Sequence, residues 1–252
     1  MRQPGQTQQI LFDLDDTLIY CNKYFMIVID QFLDLTGTWF QGYDVTVKQI
    51  RDKQVELDVA GLNDTGFVSD HFPQSFVMTY RHFCDLTGRS ANRAEEAELW
   101  KLGRSVYEQP VEAYPGMTET LGRLLEAGHE LHLYTGGEAD IQQRKIDRLG
   151  LAEYFGERMY IRQHKNADAL ERILSEGGFD RSRTWMIGNS LRTDIAPALQ
   201  AGIHAIHFKQ PKEWKYNVIE FESTPEDSLF TVTALEEVPG VIASYLKRHD
   251  RA

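Results

Sequence analysis

Hydrophobic and polar positions follow two different periods along the chain, and the change of period divides it into segments. Near the start, the apolar run Ile10–Phe12 is followed at once by carboxylates, which is typical of a short buried strand ending at a site. From about Cys21 to Gln109, apolar residues recur at helical spacing. In this region we predict helices at 24–35, 45–59, 70–86 and 93–107.

After Pro110, short apolar runs alternate with amphipathic segments. The runs predict strands at 131–134, 159–161, 184–187 and 203–208, with an edge strand at 229–233. The intervening segments predict helices at 118–126, 139–149, 167–175 and 195–200, with a final helix at 240–247. Strands alternating with helices imply right-handed crossovers and a parallel sheet with helices on both faces. The predicted fold class is therefore α/β, a doubly wound parallel sheet interrupted by an all-helical insertion.

The domain prediction follows from this change of period. Residues 1–20 and 110–252 form the predicted α/β core, and residues 21–109 form the predicted helical domain. Ligands of such sheets bind outside the carboxyl ends of the strands. An insertion directly after the first strand is where a lid belongs. The alternative is an element that serves stability or oligomer formation.

Polar residues and glycines follow four of the predicted strands. The first strand ends at Asp13, Asp15, Asp16 and Thr17; the later tips carry Thr135, Gly136 and Gly137, then Lys165, then Asn189, Ser190 and Asp194. Taken alone, the acidic stretch after the first strand is equally an N-cap of the next helix. Together, carboxylates, a hydroxyl, glycine amides and an ammonium can hold Mg²⁺ and a phosphoryl group. The set as a whole favours a phosphoryl-transfer site.

These motifs resemble the haloacid dehalogenase superfamily. Residues 13–17, Asp-Leu-Asp-Asp-Thr, match its first motif, DxDxT, and Thr135 and Lys165 match the second and third. Residues 188–194, Gly-Asn-Ser-Leu-Arg-Thr-Asp, resemble the fourth, GDxxxxD. The resemblance covers about residues 9–21 and 110–210. It implies a phosphatase-type member with the helical insertion as a C1-type cap.

The resemblance also implies roles. Asp13 would be the nucleophile that forms an aspartyl-phosphate, and Asp15 the general acid and then base. Thr135, the Gly136 amide and Lys165 would bind the phosphoryl group of a small phosphorylated substrate, a nucleotide or sugar phosphate. Mg²⁺ would be held by Asp13, Asp15 through its backbone carbonyl, Asn189 and Asp194. Dehalogenase members lack the second Asp, so Asp15 favours phosphoryl transfer.

One position departs from the family pattern. Asn189 stands where the fourth motif has its first Asp, which removes a negative charge from the metal site. We therefore expect weaker Mg²⁺ binding than with Asp. Three alternatives remain: a phosphosugar mutase, a non-catalytic binding or regulatory protein on the same scaffold, and a response-regulator receiver. The insertion and the absence of an Asp at the later strand tip disfavour a receiver.

Composition limits the partners. The chain has 252 residues and a formal net charge of −11, which disfavours nucleic acid and anionic membrane surfaces. Two cysteines are too few for a disulfide framework or a zinc site. No apolar run is long enough to span a membrane, and residues 1–6 lack an apolar signal region, so we expect a cytoplasmic protein. The oligomeric state does not follow from these features.

Overall fold

The computed structural model describes residues 7–220 and 228–249. The chain divides into two compact units, each described by itself: an α/β unit of Met1–Tyr20 with Val111–Ala252, and a helical unit of Cys21–Pro110. Within the described ranges, none of the helices combines the length and apolar character needed to cross a bilayer. The N-terminal residues 1–6, used above for the localisation, lie outside these ranges.

Six parallel strands form the sheet of the α/β unit. They are β1 (Gln9–Phe12), β2 (Glu130–Gly136), β3 (Met159–Arg162), β4 (Thr184–Gly188), β5 (His204–Phe208) and β6 (Leu229–Val232). Their order in the sheet is β3-β2-β1-β4-β5-β6. The first strand therefore lies in the middle, between β2 and β4, and its carboxyl end is surrounded by the ends of its neighbours. The predicted α/β fold with a parallel sheet is confirmed.

Ten α-helices lie in the described residues. The helical unit contains α1 (Asn22–Trp39), α2 (Val47–Thr65), α3 (His71–Thr87) and α4 (Arg93–Arg104). The α/β unit contains α5 (Met117–Glu126), α6 (Ala139–Arg148), α7 (Ala152–Phe155), α8 (Ala167–Glu176), α9 (Ala196–Gln200) and α10 (Val238–His249). The short helix α7 is the one element of this set for which the apolar pattern made no prediction.

Alternating side chains of β1 enter two separate cores. Ile10 and Phe12 belong to a cluster on one face of the sheet, while Leu11 belongs to a cluster on the other. Residues of α5, α7 and α10 complete the first cluster, and residues of α8 and α9 complete the second. Because successive side chains of a strand point to opposite faces, a strand buried on both sides reads as a continuous apolar run. This double burial explains why residues 10–12 lack polar alternation.

The helical unit has an aromatic core. Phe32 of α1 stacks on Phe76 of α3 at a centroid distance of 4.2 Å, and Phe76 also packs against Phe72. Helix α2 begins at a capping box in which Thr46 and Gln49 satisfy each other's backbone N–H groups. Near the start of α4, Glu95 binds Tyr80 and Arg89 and so ties this helix to α3. The four helices predicted for this region are all present.

Candidate active site

The first strand delivers Asp13 to the centre of the sheet edge. The backbone N–H of Asp13 donates to the carbonyl of Ile187 at 2.9 Å, which extends the pairing with β4 by one residue. Asp16 has a φ of +59°, a left-handed conformation that is uncommon for a residue other than glycine. The chain thereby turns sharply after Asp15, and Gln210 stabilises this turn by donating to the Asp16 carbonyl at 2.9 Å.

A buried lysine lies between two carboxylates. The Nζ of Lys165 lies 2.5 Å from Asp13 Oδ1 and 2.5 Å from Asp194 Oδ1. All three side chains are almost completely removed from solvent, with exposures of 3%, 8% and 1% respectively. Lys165 lies between β3 and α8. The next residue, Asn166, is the N-cap of α8, and its side chain accepts the Ala169 N–H. The predicted residues Asp13, Lys165 and Asp194 are thus brought together.

The electrostatics of this cluster follow from burial. Desolvation raises the pKa of Asp13 to about 7, against the opposing effect of Lys165 and with a contribution from Asp194. For Lys165, burial disfavours the ammonium, but the combined effect of Asp13, Asp194 and Tyr134 outweighs burial and raises the pKa of this group. Lys165 is therefore charged at neutral pH. One ammonium lies between two acidic side chains. When both are ionised, the net charge of the cluster is negative, which favours binding of a further cation.

Thr17 connects the first and fourth motifs. Its hydroxyl donates to Asp13 Oδ2 at 2.9 Å and accepts the backbone N–H of Asn189 at 3.1 Å. Both carboxylate oxygens of Asp13 are thus oriented, one by Lys165 and the other by Thr17. Sequence reasoning assigned Thr17 only to the motif pattern and to the turn. Its contact with Asp13 depends on the left-handed turn between them.

The fourth motif folds as a tight turn around Asp194. The second oxygen of Asp194 accepts the backbone N–H of Ser190 at 2.9 Å. A Cβ atom at Gly188 would lie 2.2 Å from that oxygen, so only glycine permits this approach. On the other side of Asn189, the ring of His207 lies 3.2 Å from its carbonyl oxygen. Asn189 is buried beside this turn.

The Asp15 carboxylate is held by a second set of residues. Lys145 Nζ lies 2.8 Å from both of its oxygens, and Gln142 Nε2 donates to Oδ2 at 2.9 Å. Gln142 also donates to the hydroxyl of Thr135 at 2.6 Å. Sequence reasoning did not identify Gln142 or Lys145. The sequence feature that could have indicated them is their i, i+3 spacing on the helix after the second motif, which places both on one face of that helix.

The remaining predicted residues lie at the ends of their strands. Thr135 is fully buried in β2, and Gly136 is the last residue of that strand. Strand β1 pairs with β2 only as far as Leu133, so Gly136 extends beyond this pairing. The ring of Tyr134 lies 4.9 Å from Lys165 Nζ, and burial raises the pKa of its hydroxyl to about 12.

The donor atoms match those that Mg²⁺ prefers. Asp13 and Asn189 offer oxygen ligands, and Mg²⁺ is bound in proteins by one or two carboxylates with water and substrate completing the octahedron. Asn189 is buried, and its side-chain amide oxygen is a neutral ligand of the kind that hard cations accept. Asp194 Oδ1 is buried and makes no hydrogen bond of good geometry among the described residues, despite its ion pair with Lys165.

The predicted metal site has few acidic ligands, in keeping with the neutral amide of Asn189. Within residues 7–220 and 228–249, no three Asp, Glu, His or Cys side chains converge as a metal site. Asp13 and Asp194 converge on Lys165, whereas the Asp15 side chain is directed to Lys145. Asp13, Asn189 and Asp194 carry carboxylate and amide oxygens of the kind that Mg²⁺ binds, and a magnesium site at these residues stays a prediction.

Comparison with known proteins identifies the family. The model of the family described as haloacid dehalogenase-like hydrolase matches residues 7–202. Pyrimidine 5'-nucleotidase PynA of Streptococcus pneumoniae is 28% identical over 207 residues, which span 79% of this chain and 82% of that protein.

Solved structures share the fold. A haloacid dehalogenase-like hydrolase from Xanthomonas campestris superposes with a TM-score of 0.79 at 23% identity, covering 100% of this chain and 97% of that one. The putative HAD-hydrolase YfnB from Bacillus subtilis, bound to magnesium, has a TM-score of 0.62 at 17% identity, covering 94% of this chain and 99% of that one. The chain belongs to the haloacid dehalogenase-like hydrolase family.

Proposed function

We propose that this protein is a magnesium-dependent phosphatase that hydrolyses a small phosphorylated metabolite through an aspartyl-phosphate on Asp13. The observation that carries the proposal is the orientation of Asp13, whose two oxygens are held by Lys165 and Thr17 at the central strand tip. A nucleophile fixed in this way attacks phosphorus with little loss of orientational freedom. Asp15, held separately two residues away, supplies the proton that the leaving oxygen needs.

The first half-reaction transfers the phosphoryl group to the chain. A carboxylate oxygen of Asp13 forms a bond to phosphorus as the bond from phosphorus to the leaving oxygen breaks. Asp15 enters this step in its protonated form, and its proton passes to that oxygen, which departs as an alcohol. Lys165, the Thr135 hydroxyl and the Gly136 amide balance the charge on the phosphoryl oxygens. Bound magnesium would add charge neutralisation at the same oxygens.

The second half-reaction releases inorganic phosphate. Asp15 accepts a proton from water, whose oxygen forms the new bond to phosphorus. The bond between Asp13 and phosphorus breaks, and the Asp13 carboxylate is restored. The net reaction consumes one phosphate monoester and one water and yields one alcohol and one inorganic phosphate.

A nucleoside or sugar monophosphate is the proposed substrate class. The similarity to a pyrimidine 5'-nucleotidase at 28% identity supports a nucleotide. The helical unit is the proposed cap, because it is inserted in the chain directly after the strand tip that bears the two catalytic carboxylates. A cap of this kind encloses a small ligand and excludes water during phosphoryl transfer.

The decisive experiment measures release of inorganic phosphate with and without magnesium. The substrates are 4-nitrophenyl phosphate and a panel of nucleoside and sugar monophosphates. We expect magnesium-dependent hydrolysis by the wild-type chain and a loss of about 10³-fold or more in kcat for Asp13→Asn, because the amide cannot form the aspartyl-phosphate.

The matched control is Asp140→Asn, which makes the same chemical change near the start of α6. Full activity is expected of this control. Hydrolysis that survives Asp13→Asn would refute the covalent mechanism. A wild-type chain that hydrolyses no substrate of the panel with magnesium present would favour the non-catalytic binding protein.

A further inference from the structure

Helix α6 carries two residues that the proposed reaction does not use, and both bind the Asp15 carboxylate. Lys145 Nζ is equidistant from the two oxygens at 2.8 Å, and Gln142 Nε2 lies 2.9 Å from Oδ2. The ion pair is largely withdrawn from solvent, with exposures of 19% for Lys145 and 25% for Asp15. Neither oxygen of Asp15 is left without a partner.

Gln142 links this carboxylate to the second motif. Its amide nitrogen donates both to Asp15 and to the Thr135 hydroxyl, and a carboxylate can only accept, so the NH₂ group must face this way. Thr135 thus serves Gln142 as an acceptor, which leaves its own O–H proton for another oxygen. The general acid and the phosphoryl-binding hydroxyl are therefore held by one side chain.

The backbone before α6 is shaped to admit Gln142. A Cβ atom on Gly137 would lie 2.9 Å from Gln142 Cγ, and the φ of Gly137 is +141°. Glycine at this position removes that steric conflict and adopts the required conformation without strain. Gln142 is 1% exposed, so its amide is fixed by packing as well as by its hydrogen bonds.

Two carboxylates two residues apart thus have separate ammonium partners. Lys165 binds Asp13, and Lys145 binds Asp15. Without Lys145, the Asp15 carboxylate would lose its ammonium partner, and the Lys165 ammonium beside Asp13 would be free to attract it. An Asp15 carboxylate turned toward Lys165 would compete with Asp13 and leave the position from which it reaches the leaving group.

We propose that Gln142 and Lys145 are positioning residues that hold the Asp15 carboxylate beside Thr135 and apart from Lys165. Because this role depends on the proposed phosphatase activity, its test compares two substrates that need Asp15 to different degrees. Nitrophenolate leaves 4-nitrophenyl phosphate readily without a proton. The alkoxide of an alkyl phosphate, such as glycerol phosphate, requires one.

The variants are Lys145→Met and Gln142→Leu, which keep the size of each side chain and remove the polar contact. We expect each to lower kcat on the alkyl phosphate at least about tenfold more than on 4-nitrophenyl phosphate, with smaller changes in KM. Lys145→Arg restores an ion pair to Asp15 and should recover most of the alkyl phosphate activity. Arg148→Met, which removes a cation from the exposed end of the same helix, is the matched control and should behave as wild type.

Equal losses on both substrates, or no loss, would overturn the positioning role while leaving the phosphatase function intact. A gain on the alkyl phosphate would also overturn it, because it would show that the contacts hold Asp15 away from the leaving group. A wild-type chain inactive on both substrates would overturn the proposed function and the positioning role together. The wild-type chain is measured in the same assay, so failure of the phosphatase function is distinguished from failure of the positioning role alone.

Discussion

The side chain at position 189 differs from the family's usual residue by an amide in place of a carboxylate. Asp13 and Asp194 both form ion pairs with Lys165, whose positive charge offsets part of their negative charge. The negative charge that remains to attract a divalent cation is therefore small. A carboxylate at position 189 would add a full negative charge to the oxygen set. The same charge would repel Asp13 and Asp194 when no metal is bound.

Asn189→Asp is therefore expected to tighten magnesium binding about tenfold, which corresponds to about 1.4 kcal/mol. Before metal is added, the variant should melt at a lower temperature than wild type, because of repulsion among the buried carboxylates. Calorimetric titration with magnesium and thermal unfolding measure these two effects. An apparent magnesium affinity that is unchanged or weaker in Asn189→Asp would contradict this expectation.

Asn63→Asp provides the control for net charge. It makes the same substitution at an exposed position of α2 and adds the same charge to the protein. Neither the magnesium affinity nor the melting temperature should change appreciably for this variant. A shift as large as that of Asn189→Asp would show that overall charge, rather than the ligand set, governs magnesium binding.

At the scale of single elements, helix α2 buries a carboxylate against α3. Desolvation raises the pKa of Asp58 from its ordinary 3.8 to about 7. The ring of His71 on α3 lies 3.8 Å from Asp58 Oδ1 and 2.7 Å from the Asp58 carbonyl oxygen. The two helices approach closely here, since a Cβ on Gly61 would meet the His71 ring. The apolar pattern of α2 alone did not predict a buried carboxyl group.

This raised pKa makes stability depend on pH in a definite direction. The folded state keeps the proton that the unfolded state loses, so the contribution of Asp58 is fully present below about pH 4 and is lost as the pH rises through about 7. Asp58→Asn removes the ionisable group. We expect it to raise the free energy of unfolding at pH 8 by about 1–3 kcal/mol.

Urea denaturation from pH 4 to pH 8 measures this effect. The gain from Asp58→Asn should shrink as the pH falls toward 4, where the wild-type carboxyl is protonated in the folded state and about half protonated in the unfolded state. Asp64→Asn, at an exposed position of the same helix, should change stability little at any pH. A gain from Asp58→Asn that does not vary with pH would show that the carboxylate charge is not its cause.

At the scale of the whole molecule, the α/β unit has a core of its own. Every side chain of the two hydrophobic clusters beside the sheet comes from the described parts of Met1–Tyr20 and Val111–Ala252. The segment that leaves this unit, near Tyr20, pairs with the segment that re-enters it, near Glu112. Tyr20 N–H donates to the Glu112 carbonyl at 2.9 Å, and Tyr114 N–H donates to the Leu18 carbonyl at 2.8 Å.

Replacing residues 21–110 by a flexible linker of about four residues should therefore give a chain that folds by itself, because a loop of this length closes an antiparallel pair. We expect cooperative thermal unfolding and a circular dichroism spectrum of an α/β protein. A broad, non-cooperative transition would show that the α/β unit needs the helical unit in order to fold. Leu11→Asp in the shortened chain serves as a control that should abolish the transition, since this residue is fully buried.

Local sequence patterns were sufficient for much of the fold. The apolar run at 10–12 marked the central strand because a strand buried on both faces is rich in apolar side chains. The four helices of residues 21–110 followed from helical spacing, and their ends from glycine and polar residues. Lys165 was identified from its place after a short strand, and the structure shows it within 2.5 Å of Asp13.

Contacts between residues distant in the chain required the tertiary structure. Lys145 and Gln142 bind Asp15 across sequence separations of 130 and 127 residues, and no local pattern specifies which carboxylate a helical lysine meets. The pairing depends on β2 lying beside β1, which places α6 next to the turn after Asp13. The sequence by itself determined which chemical groups stand at the strand tips, since this depends on local pattern and motif spacing. Only the tertiary structure decided how those groups are paired, because sheet order and helix packing set the distances between them.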